Sequence, residues 1–109
     1  MNSDKAVFGA LSEVVPGTKD AWPVGNAPPL PWFVYRRAWG GEIYADNDNI
    51  SLLPRYTAEL YMAENDPETL SRFEDAVSSL GTYSRRDSWL ESQSCLMYTF
   101  RFTYLPKTE

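Results

Sequence analysis

The stretch YADNDNI, Tyr44 to Ile50, places four carboxylate or amide side chains in a row, Asp46, Asn47, Asp48 and Asn49, between apolar neighbours. Oxygen donors at that density raise the question of calcium. A helix–loop–helix calcium loop takes ligands at positions 1, 3 and 5, a glycine at 6 and a glutamate at 12. Counting from Asp46, positions 1 and 3 are Asp46 and Asp48, but position 5 is Ile50, position 6 is Ser51 and position 12 is Thr57. Three required places fail. Asp and Asn also bond their own backbone in turns, so the stretch reads as a connecting loop and no metal is expected.

The other candidates for chemistry are thinner. The chain has no histidine, which removes the commonest general base and imidazole metal ligation. Cys95 is the single cysteine. It has no histidine to activate it and no CxxC partner, so a small packed hydrophobe is the expectation. Glu59, Glu64, Asp66, Glu68, Glu74 and Asp75 supply carboxylates, but most fall where helix caps and solvated faces are expected. No glycine-rich phosphate loop is present. Arg36-Arg37 and Arg85-Arg86-Asp87 resemble small anion clamps, yet neighbours on a strand point to opposite faces and cannot converge on one ligand. A salt-bridged exposed position is the bland alternative, and an inter-subunit ion pair the other. No catalytic residue, metal ligand or cofactor is expected.

The bulk composition fits a protein that works by contact. The chain has 109 residues, 43% of them hydrophobic and 15% aromatic, which suffices for one modest core spanning residues 1–109 as a single domain. A net charge of −5 argues against a nucleic-acid binder and suits a basic partner. One cysteine permits no intrachain disulfide, as in a reducing compartment. No run nears the roughly 18 apolar residues that cross a membrane. The first fifteen residues lack the basic and apolar regions of a secretory leader. The expectation is a cytoplasmic protein without a membrane partner.

The elements that would position these residues can be read in order. Ser3 or Asp4 caps a helix over about 3–14, with Ala6, Val7, Ala10, Leu11 and Val14 on one side. Residues 16–31 hold five prolines and two glycines and predict an extended loop pinned by Trp22 and Val24. That loop is either a stiff connector or a ligand for a partner's aromatic groove. WFVYRRAW (32–39) predicts a strand, Gly40-Gly41 a turn, and 42–45 a short return strand. RYTAELYM (55–62) alternates, with Tyr56, Ala58, Leu60 and Met62 on one face. From Asp66 as cap and Pro67 at the first position, Leu70, Phe73, Val77 and Leu80 mark a helix stripe. Gly81 is expected to close it as a left-handed cap. Strands over 82–90 and 94–105 follow, the last with Leu96, Tyr98, Phe100, Phe102 and Tyr104 on one face. The fold class is α+β, an antiparallel sheet of about four strands with two helices packed on one face. Of the four tryptophans, Trp22, Trp32 and Trp89 read as core, whereas Trp39 beside the glycine pair divides evenly between core and partner anchor.

Taken together, LPWFVYRR, YADND, YTAELYMAENDPETLSRFEDAVSSLG and YSRRDSWLESQSCLMYTFRFTYL resemble the small tail-completion proteins of long-tailed bacteriophages, tail terminators among them, of the Gram-positive-host type. The resemblance covers roughly residues 30–105 and rests on the order of elements and aromatic positions. It implies a non-enzymatic ring, commonly of six subunits, that caps the tail tube and joins the head connector. Its partners would be further copies of the chain, the major tail tube protein and the head–tail connector protein. DNA would pass through without specific binding, and the site of action would be the host cytoplasm and then the neck of the virion. Under it, Asp46 to Asn49 become a projecting contact loop, with Trp39, Tyr44, Arg85 and Arg86 as further interface candidates. A head-completion or connector adaptor is the neighbouring alternative. A small monomeric binding module or inhibitor of a basic partner is the alternative from another class.

Overall fold

The computed structural model describes residues 3–23, 25, 27–37, 54–91 and 94–105. Helix α1 (Ser3–Ser12) leads through Pro16 into strand β1 (Gly17–Lys19). Strand β2 (Trp32–Arg37), strand β3 (Arg55–Met62), helix α2 (Pro67–Leu80), strand β4 (Gly81–Leu90) and strand β5 (Cys95–Tyr104) follow. The five strands form one sheet in the order β1-β2-β3-β5-β4. The α+β class holds. The sheet is mixed and not purely antiparallel, because β1 runs parallel to β2 with Gly17 opposite Phe33, while the other three pairings are antiparallel.

Strand β1 is the element the sequence did not announce. It lies inside the proline-rich segment expected to be loop throughout. Three residues between Pro16 and Asp20 fit only at an edge, where proline's missing N–H costs nothing. Asp20 takes a positive φ of 67° as the chain leaves the sheet. The expected short strand over 42–45 lies outside the described residues.

Both helices cover one face. Val7, Leu11 and Val15 from the N-terminal segment and Phe73, Val77 and Leu80 from α2 are buried against Phe33, Tyr35, Tyr56, Ala58, Leu60, Met62, Tyr98, Phe100, Phe102 and Tyr104. The strand residues in this core are those the period-two pattern assigns to one side. Rings tile it: Phe73 sits 5.5 Å from both Phe33 and Phe100, and Tyr56 stacks on Phe102 at 5.7 Å.

Helix α2 starts as its sequence dictates. The Asp66 carboxylate accepts from the Thr69 amide at 3.3 Å and from the Thr69 hydroxyl at 2.8 Å, satisfying donors that the first turn leaves free. Those hydrogen bonds hold the Asp66 carboxyl below its ordinary range. Asp66→Ala is expected to destabilise the protein by loss of the cap, measurable as a lower midpoint in urea unfolding.

The other end of α2 departs from expectation. Gly81 is not a left-handed cap. Its φ of 161° is extended backbone, and it is already the first residue of β4, opposite Tyr104. Its N–H donates to the Val77 carbonyl, so helix becomes strand with no intervening loop. What demands glycine here is space: a Cβ would stand 1.8 Å from the Thr103 carbonyl oxygen.

Candidate functional site

Alternation along the strands divides the polar residues between two faces. On the helix-covered face, Arg85 is fully engaged. Its guanidinium donates to Asp87 through two nitrogens, at 2.9 and 3.1 Å, and to Glu74 of α2 at 2.8 Å. Glu74 also accepts from the Tyr83 hydroxyl at 2.8 Å. Arg85 lies 5.7 Å over the Tyr98 ring. This network ties the edge strand to α2. Arg86 points to the opposite face, so the expectation that the two cannot share a ligand is met. Arg85 takes the salt-bridged position expected of it, paired with Asp87 and Glu74.

The second face of the sheet is not covered by either helix. Register places its residues in rows. One row runs Arg36, Thr57, Arg101, Ser84, and the next runs Val34, Glu59, Thr99, Arg86. Arg55 stands beside Thr103 one step further along. Four arginines therefore share the described strand positions of this face with one strand carboxylate, Glu59, while Asp20 lies beside Arg36 at its edge. Arg36 claims the Glu59 carboxylate, donating to it at 3.2 Å. Among the described residues, Arg55, Arg86 and Arg101 form no ion pair and are exposed. A shallow groove of about 620 Å³ follows Arg36, Thr57, Ser84, Arg86, Thr99 and Arg101.

Toward β2 this face is apolar. Asp20, Ala21, Trp22, Pro23, Gly25 and Ala27 lie over it around Val34, which is buried; Val24, the other residue expected to pin the segment, lies outside the described residues. Trp22 meets Trp32 edge-on at 5.7 Å, and Trp32 meets Tyr61 at 4.7 Å. The Trp22 indole Nε1 is buried without a hydrogen-bond partner. Tyr61 donates to Glu59 at 3.0 Å, and burial first, then that bond to the carboxylate, pushes its pKa up to about 12. The proline-rich segment thus uses its own aromatic surface, and Trp22 pins it as expected.

Trp22, Trp32 and Trp89 do not belong to the main core, against expectation. Trp22 and Trp32 pack on the second face. Trp89, near the end of β4, is 54% exposed, beyond Tyr83 and Arg85, whose side chains bond Glu74 of α2. Its alternation in β4 places it on the helix side.

Cys95 is 2% exposed, and burial pushes its thiol up, which keeps it protonated and inert near neutral pH. No three side chains of the kinds that ligate metals converge among the described residues. Trp39, Tyr44, Asp46, Asn47, Asp48 and Asn49 lie outside the described residues. Of the interface candidates, only Arg85 and Arg86 can be placed.

A separate polar link closes the first face. Asp4 of α1 accepts from Lys19 Nζ of β1 at 2.7 Å and from the Tyr56 hydroxyl of β3. The Lys19 bond first, and the Tyr56 bond second, lower the Asp4 pKa below its ordinary 3.8. A carboxyl with a depressed native pKa stabilises the fold above its unfolded-state value and loses that contribution as pH falls through the native one. Asp4→Asn is accordingly expected to cost about 1 kcal/mol at pH 7 and progressively less as pH falls below the ordinary carboxyl range, read as the difference between the two proteins' urea midpoints at each pH.

No protein family, no curated protein and no solved structure matches this chain in sequence or in fold.

Proposed function

We propose that this protein is a structural assembly subunit of the phage tail-completion type, a tail terminator that forms a ring, caps the tail tube and meets the head connector. The observation that carries the reading is the half-covered sheet. Two helices bury one face, and among the described residues the other presents exposed arginines on three neighbouring strands, Arg55 of β3, Arg101 of β5 and Arg86 of β4. A surface of that kind is suited to a macromolecular contact. The ten-residue strand β4 adds an outer edge with no partner among the described residues, a feature that folded proteins ordinarily blunt or use for pairing.

Among the described residues the polar side chains add no competing site. Cys95 is shielded, Glu59 is bound by Arg36 and Tyr61, and Glu74 by Arg85 and Tyr83. Function by geometric complementarity needs none of these to turn over. The resemblance in element order supplies the specific form, a ring that halts tube growth.

Deletion of the gene in the phage that carries it tests the reading. Tails of abnormal length without heads, seen by electron microscopy, are the expected result. Tails of normal length beside heads that leak DNA would instead assign the connector-adaptor role, and unaltered particles would contradict both.

A further inference from the structure

We infer that the arginine face of one copy docks on the acidic helix layer of the next, so that copies associate head to tail. This rests on the assembly reading and names its interface. The chain carries a net charge of −5, yet among the described residues its second sheet face is positive, with Arg36, Arg55, Arg86 and Arg101 against Glu59 and Asp20. The opposite side is acidic. Glu13 of α1, Glu68 and Asp75 of α2, and Glu64 and Asp66 in the turn before α2 are exposed, opposed by Lys5, Arg72 and Arg37, which lies over the Tyr56 ring. The described charges thus leave the two faces with opposite net sign. The molecule is thus polarised through its thickness, and the second copy offers the charge that the first copy's arginines lack.

Spacing supports a protein partner. Arg36 and Arg101 stand two strands apart, about 10 Å, and Arg86 lies diagonal to Arg101 at roughly 8 Å. Carboxylates one and two turns apart on a helix fall about 5 to 11 Å from each other, which is the range of Glu68 to Asp75. A nucleic acid would have to approach a molecule whose remaining charges are strongly negative, whereas a second copy turns that same charge to use. A contact between different faces is heterologous. It repeats, and it closes into a ring when the rotation per step allows.

Cysteines placed on the two faces test this. Ser84 lies amid the arginines and Ser71 beside Glu68 and Asp75, both exposed, while native Cys95 is buried. The doubly substituted chain Ser71→Cys/Ser84→Cys, treated at low ionic strength with a short bismaleimide, is expected to give a ladder of covalent oligomers. Arg86→Glu/Arg101→Glu in that background is expected to reduce the ladder at least about tenfold, and adding Glu68→Arg/Asp75→Arg is expected to restore it. Raising salt on the unreversed chain should reduce it as well, without any charge variant.

Covalent dimers from Ser84→Cys alone would show open faces meeting each other and overturn the inference. So would the absence of a ladder, or a ladder indifferent to charge reversal and salt. Retardation of a single-stranded oligonucleotide that depends on Arg86 and Arg101, with no ladder, would give the face to nucleic acid. The tail phenotype is scored separately: a ladder with unaltered tails removes the terminator reading and leaves the interface, and the converse result does the reverse.

Discussion

Gly81→Ala is expected to destabilise the protein by about 3 kcal/mol, at the upper end of what forced overpacking costs. The added methyl would stand 1.8 Å from the Thr103 carbonyl oxygen and 3.0 Å from its carbon. That neighbour is backbone in the β4–β5 ladder, so it cannot swing aside as a side chain would. Relief would require the junction to move. The junction is fixed twice over, by the Gly81 N–H on Val77 and by the Leu105 N–H donating to the Leu80 carbonyl at 2.8 Å. The same substitution at Gly9 provides the control. It lies within α1, and nothing stands within 4 Å of its added methyl, so Gly9→Ala should stabilise by roughly 0.5–1 kcal/mol through helix propensity and the unfolded chain. Opposite signs in urea unfolding are the expected outcome; a mild effect at Gly81 would contradict the close approach.

Phe100→Ala carries the largest expected loss, about 3–5 kcal/mol. The ring is fully buried at the centre of β5. It touches the α2 core through Phe73 at 5.5 Å and the edge strand through Tyr83 at 6.1 Å. Opposite it on β3 stands Ala58, too small to close the space by itself. Phe73, Tyr83 and Ala58 are all distant from Phe100 in the chain, so the cavity cannot collapse by a local shift. For a domain whose whole stability is on the order of 5–15 kcal/mol, the variant should sit near the edge of folding at ambient temperature. Far-ultraviolet circular dichroism across a thermal scan reads this directly. A melting temperature within about 5 °C of the parent would contradict the placement of Phe100.

These two positions show what the residue order does and does not make legible. Phe100 belongs to a ten-residue alternation in β5, and such a run specifies its own buried face whatever its neighbours are. Helix α2 announces itself in the same way through Asp66, Pro67 and the Phe73, Val77, Leu80 stripe. Gly81 is harder. A glycine after a helical stripe has the appearance of a left-handed cap, and only the approach of Thr103 from another strand reveals a different reason for it. Strand β1 is harder still, since three residues carry no period. Its Gly17 is explained by the Phe33 ring, which an added Cβ would meet at 2.0 Å, and that contact exists only once β1 has paired.

The candidate surface was visible in part. Alternation alone separates Arg85 from Arg86. It cannot bring Arg36, Arg101 and Arg86 into neighbouring positions, because three strand registers, one of them between the non-consecutive β3 and β5, decide that. The pairing of Glu59 with Arg36, 23 residues away in the chain, is hidden for the same reason. The overall charge pointed the other way: a net of −5 conceals a basic face, since a sum over the chain carries no information on how the fold sorts its charges.

The most direct test is the native mass of the protein by light scattering over a wide concentration range at low and high salt, alone and with a tail tube protein, the partner that the proposed function assigns to it. The account predicts a discrete species near six subunits at low salt that disperses as salt rises, with the tube protein promoting it. A monomer at every concentration at low salt, unmoved by the tube protein, would contradict it.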